Sequence, residues 1–145
     1  MKKHEAGDIF VIPMHDGRYA FCQVICALRG RFKKVFSFGV MGLAADKEMP
    51  NDISEWNDSL LTFVNSRGST RVIFAATDNL RSGDWEIVGH IPLTTEKEAL
   101  QEFQSAGHLY HGDERIRNLT PAEYKLYNTM GVAGNELVQQ YLAQH

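Results

Sequence analysis

Long apolar runs are missing from this sequence. No stretch comes near the roughly 18 uninterrupted apolar residues that a membrane-spanning helix needs. The start, Met1-Lys2-Lys3-His4-Glu5-Ala6-Gly7-Asp8, leads into strand-like residues instead of the apolar core of a leader. No membrane partner and a cytoplasmic location are therefore expected. Excess positive charge is missing as well. Fifteen Lys and Arg stand against 18 Asp and Glu, a net charge of −3 with a pI near 6.0. The broad basic surface used in sequence-independent nucleic-acid binding is absent, and no nucleic-acid partner is expected.

Cysteine is scarce. The two, Cys22 and Cys26, lie four apart in Tyr19-Ala20-Phe21-Cys22-Gln23-Val24-Ile25-Cys26, which reads as strand. At a strand's rise their Cα atoms fall about 13 Å apart, beyond the roughly 7 Å limit for a disulfide. Their shared parity places both on one face as small buried hydrophobes, reduced as thiols are in the cytoplasm.

Catalytic signatures are missing too. There is no Gly-x-Ser-x-Gly elbow and no His-Glu-x-x-His helix, and Gly39-Val40-Met41-Gly42 lacks the lysine and helix of a phosphate-binding loop. The six histidines are scattered. Only His108-Leu109-Tyr110-His111-Gly112-Asp113-Glu114 bunches imidazoles with carboxylates, and it reads as a solvated polar loop. No catalytic residue, metal ligand or cofactor is assigned.

What the sequence does contain is ordinary globular material: 145 residues, 43% hydrophobic and 23% charged, enough for one core and not two. A single domain over 1–145 is expected. Ile9-Phe10-Val11-Ile12, closed by Pro13 and the turn His15-Asp16-Gly17, predicts a first strand, and Tyr19 to Leu28 a second. After Arg29-Gly30, the parity of Phe32, Phe36 and Phe38 predicts a third strand with one buried face. Leu60–Val64, Arg71–Ala76 and Trp85–Pro92 extend the pattern to about six strands. Helix signals come last. Thr95 with Glu98 predicts a capped helix through about Gln104. Thr120-Pro121-Ala122-Glu123 predicts a second, and Glu136 to Gln144 forms a final amphipathic piece. The fold class is α+β: a bent, mostly antiparallel sheet, with an SH3-like barrel as one form it can take, packed by C-terminal helices. Phe10, Ile12, Phe21, Phe36, Phe63, Ile73, Trp85, Ile87, Leu126 and Leu137 are the expected core.

Two islands carry a resemblance. Gly7-Asp8-Ile9-Phe10-Val11-Ile12-Pro13-Met14-His15-Asp16-Gly17-Arg18-Tyr19-Ala20-Phe21 resembles the opening of the immunity protein 26 family, also called the immunity 26/phosphotriesterase HocA family. Trp85-Glu86-Ile87-Val88-Gly89-His90-Ile91-Pro92-Leu93 is similar to its second block. Cys22 stands where the resemblance leads one to expect glycine. His15 and His90, one in each block, are candidates to pair across the sheet. The resemblance implies a small protein of bacterial polymorphic toxin systems that binds and neutralises a cognate toxin. The second half of the family's name implies, as the alternative, a metal-dependent phosphotriesterase-like hydrolase.

If a toxin is the partner, the segment with the greatest local charge is the expected contact. Asp46, Glu48, Asp52, Glu55 and Asp58 stand against Lys47 alone, around Trp56. Carboxylates speed encounter with a basic cleft, and a central tryptophan slows departure.

Overall fold

The computed structural model describes residues 3–48, 56, 60–66 and 68–145. Its centre is a six-stranded sheet in the order β11-β6-β3-β2-β1-β7. The strands are β1 (Asp8–Pro13), β2 (Tyr19–Ala27), β3 (Val35–Ala44), β6 (Ile73–Ala76), β7 (Glu86–His90) and β11 (Val132–Ala133). All neighbours run antiparallel except β11 and β6. β1, β2 and β3 form the expected meander, because a tight local turn follows each apolar run. A hairpin of β4 (Phe63–Asn65) and β5 (Gly68–Thr70) stands apart, as does a three-stranded sheet of β8 (Glu102–Ser105), β9 (His108–His111) and β10 (Glu114–Asn118). The class is α+β with an open sheet, and no barrel closes among the described residues. No helix there is long and apolar enough to cross a membrane.

The central strands β1, β2 and β3 are buried on both faces, so they read as apolar runs instead of alternations. One face holds Phe10, Ile12, Cys22, Val24, Phe36 and Phe38, covered by Trp85, Leu80 and the helix Asn135–Leu142 through Val138 and Leu142. Trp85 stacks on Phe10 with ring centroids 5.8 Å apart. The other face holds Ile9, Val11, Phe21, Ile25 and Cys26, covered by Phe103 and Tyr110 of the small sheet. Burying each such phenylalanine contributes roughly 2–3 kcal/mol.

Several expectations need correction. A register shift between Val24 and Cys26 inserts an extra residue into β2, so Cys22 faces one cluster and Cys26 the other. Phe32 likewise belongs to the face opposite Phe36 and Phe38, since it sits in the turn before β3. Seven of the ten expected core residues are buried. Ile87, Leu126 and Leu137 are 38%, 69% and 42% exposed. Ile87 lies on the edge strand, where a register shift against β1 turns Val88 to the core instead. Leu126 ends a 3₁₀ helix, Pro121–Leu126, that buries no residue. On the last helix the buried positions are Val138, Gln139 and Leu142, which leaves Leu137 outside.

The predicted helix through Gln104 is shorter. Its cap is Thr94, whose side chain accepts from the Lys97 N–H, and α-helix covers Thr95–Glu98 only. A 3₁₀ turn, Ala99–Gln101, leads into β8, where Phe103 is needed to cover the sheet. The capping box at Thr120 and Glu123 forms as expected, on a 3₁₀ helix instead of an α-helix. Gln139 fastens the last helix to the first hairpin. Its amide donates to the Pro13 carbonyl at 2.8 Å and accepts from the His15 N–H at 3.1 Å.

Candidate functional site

The acidic segment leaves the end of β3 at the margin of the main sheet. Asp46 and Glu48 are exposed there, and the Asp46 carboxylate accepts from the Glu48 N–H at 3.1 Å. Lys47 reaches toward Glu86 at the start of β7, 3.8 Å away. Asp52, Glu55 and Asp58 lie outside the described residues.

Trp56 is half-buried against the sheet, its ring centroid 5.5 Å from that of Phe21. It sits directly over Gly42, where a Cβ would fall 2.5 Å from the indole Cε2. Gly39 makes the same kind of room for Leu60, with 2.5 Å to its Cδ1. The two glycines of Gly39-Val40-Met41-Gly42 are thus slots in β3. They let Leu60 and Trp56, both near the C-terminal end of the acidic segment, close on the sheet. Trp56 thus packs one part of its ring on β3 and leaves the rest uncovered.

A second polar cluster forms where β1 begins and β7 ends, because antiparallel pairing sets Asp8 opposite His90. Asp8 is buried, with Oδ1 2.8 Å from His90 Nδ1 and Oδ2 accepting from the Glu5 N–H at 2.9 Å. The Asp8 N–H donates in turn to the Glu5 carbonyl at 3.0 Å, closing a tight turn through Gly7. Gly7 has φ +96°, and a Cβ there would meet the Ile91 carbonyl at 2.7 Å and the imidazole Cε1 at 2.9 Å. Among the described residues, Glu5, Asp8 and His90 are the group whose ligand-type atoms converge, all within 4.8 Å of one another.

Sequence reasoning missed this cluster, taking His90 as a candidate to pair with His15. His15 instead points to Glu136, 3.9 Å away and exposed. Only the β1–β7 register joins residues 82 positions apart, and no local pattern carries it.

His108 and His111, three apart on β9, emerge on opposite faces of the small sheet. His108 Nδ1 lies 2.8 Å from Asn118 Oδ1. The expected loop around them is a pair of hairpins, because β8, β9 and β10 pair through short glycine-bearing turns. The cysteines are buried thiols: burial pushes Cys22 well up from its ordinary value, and Cys26 up to about 11. Neither carries nucleophilic thiolate at neutral pH.

Farther along the sheet, a groove of about 930 Å³ runs between β6 and the 3₁₀ helix. Tyr124, Leu126, Leu137 and Tyr141 are among its lining residues.

Comparison with known proteins gives one match. The family model described as immunity protein 26 matches residues 5–112, which takes in the acidic segment, both blocks of the Asp8–His90 cluster and most of the small sheet. No curated protein and no solved structure matches the chain.

Proposed function

The chain belongs to the immunity protein 26 family, and from that premise we propose that it neutralises a cognate protein toxin by binding it in a one-to-one complex. The family match over residues 5–112 carries this reading. It assigns an immunity role, and such a role is fulfilled most simply by occlusion of the toxin.

The contact surface we propose is the acidic segment, with Asp46, Glu48, Asp52, Glu55 and Asp58 as its carboxylates and Trp56 as the aromatic contact among them. Two observations support it. Asp46 and Glu48 are exposed, and Trp56 is half-buried over Gly42, with part of its ring uncovered. The segment thereby offers a partner an aromatic contact beside its charges. Its carboxylates raise the rate of encounter with a basic surface.

Co-expression with the toxin gene of the same locus is the test. Protection of the host, together with a stoichiometric complex on gel filtration of the purified pair, is the expected result. Protection without a complex would point to an enzymatic route and overturn the binding mechanism. Failure to protect against any toxin of the locus would overturn the immunity role.

A further inference from the structure

Glu5, Asp8 and His90 form more than a fold contact. We infer that they are a binding site for one divalent first-row transition ion, zinc being the representative case.

The donor set is suited to such an ion. An imidazole nitrogen with two carboxylates is a mixed nitrogen and oxygen set, which zinc and its neighbours take, whereas calcium and magnesium prefer oxygen alone. The spacing is close to what one ion requires. Two ligand atoms on a tetrahedral zinc lie about 3.4 Å apart. Here the Asp8–His90 contact is a 2.8 Å hydrogen bond, and no separation among the three chosen atoms exceeds 4.8 Å. An ion entering the cluster releases the proton of that bond to solvent and, with rotation of the side chains, widens the pair to its own spacing.

The supporting backbone is fixed before any ion arrives. The Gly7 N–H donates to the Val24 carbonyl at 2.9 Å, and the Gly7 carbonyl accepts from the Ile91 N–H at 3.0 Å. The turn holding Glu5 and Asp8 is thereby tied to both β2 and the end of β7. The Glu5 N–H on Asp8 Oδ2 orients that carboxylate so that Oδ1 faces the imidazole. The missing Cβ of Gly7 gives the His90 ring its place. Such second contacts are what hold metal ligands in register.

Charge points the same way. Two carboxylates face one imidazole, so the cluster is net negative whether or not the ring is protonated, and a divalent ion compensates it. Access is open, since Glu5 is exposed and the His90 side chain is 41% exposed. Water can complete the coordination. This inference is independent of how a toxin is bound.

The experiment uses the full chain, freed of metal by a chelator and then titrated with Zn²⁺ by calorimetry and with Co²⁺ by visible absorption. One equivalent of each ion should bind, Co²⁺ should give the d–d bands of a nitrogen and oxygen site, and Zn²⁺ should raise the thermal midpoint. Glu5→Gln alters an exposed side chain and should keep the fold by circular dichroism while weakening binding at least tenfold. His90→Gln should do the same and abolish the cobalt bands. The double variant His108→Gln/His111→Gln should bind as the parent does. Absence of one-equivalent binding, or binding unchanged by Glu5→Gln, or binding lost in the His108/His111 variant, would each overturn the site.

Discussion

The indole of Trp56 occupies the space that a side chain on Gly42 would fill: a Cβ built on that glycine falls 2.5 Å from the ring. This contact sets Trp56 against β3 near the strand's C-terminal end. It also makes Gly42 a packing requirement.

Gly42→Val should therefore displace Trp56 and destabilise the fold by about 1–3 kcal/mol, the usual cost of overpacking. Urea unfolding measures the loss. Acrylamide quenching of tryptophan fluorescence should rise in this variant, and Trp56→Phe should remove the added quenching. Trp85, buried on Phe10, should be unaffected. Unchanged stability and quenching would mean that Trp56 does not lie over Gly42.

The helix Asn135–Leu142 gives a sharper check of which face is inside. Val138 is fully buried and Leu137 is 42% exposed. Val138→Ala should cost about 1–3 kcal/mol through lost burial and a residual cavity. Leu137→Ala should stay within about 0.5 kcal/mol of the parent, as exposed positions do. The reverse order in chemical denaturation would place the helix on its other face.

That pair also shows how far the sequence can be read. The meander of β1, β2 and β3 is legible because its strands are apolar runs closed by local turns such as His15-Asp16-Gly17. The helix at Glu136 to Gln144 is legible from its periodicity. Which of two adjacent apolar residues faces inward is not, since it depends on how the helix docks, and Gln139 sets that by bonding Pro13 and His15. The small sheet is hidden for another reason. β10 is exposed along its whole length and carries Arg115 and Arg117, so only pairing with β9 makes it a strand. The acidic segment is evident from its charge. The Asp8–His90 contact is not, because it exists only through the register of β1 with β7.

Burial of Cys26 leads to a pH dependence. Its thiol titrates near 11 in the fold against an ordinary value of 9.0, chiefly because burial disfavours the thiolate. A raised acid binds its proton longer in the folded state than in the unfolded one. The associated stability is complete below pH 9 and is lost as the pH rises from about 9 to about 11. A rise from 9.0 to about 11 corresponds to about 2–3 kcal/mol. Cys22, raised in the same direction, adds to the loss. Urea midpoints should fall across this window, and the slope should be shallower in Cys26→Ala. Both thiols should resist a disulfide reagent at pH 8 and react only when the protein unfolds. Rapid native labelling of Cys26 would contradict its burial.

The charge of the acidic segment gives the last prediction, which concerns rates. If its carboxylates steer a basic toxin surface, reversing Asp52 and Glu55 to lysine should slow association by roughly tenfold or more at low salt. The same change at Asp46 and Glu48 should act in parallel. Added salt should slow the parent more than either variant, because screening removes an attraction that the variants have already lost. Trp56→Ala should behave differently. It leaves the charges unchanged and removes an aromatic anchor that acts after encounter, so dissociation should accelerate while association changes little. Stopped-flow and surface-binding kinetics with the purified toxin separate the two effects. Equal association and dissociation rates in all the variants would exclude the segment as the contact and direct attention to the groove beside Tyr124 and Leu126, whose lining is mostly apolar or uncharged. Binding there would carry little salt dependence, so the same measurements distinguish the two surfaces.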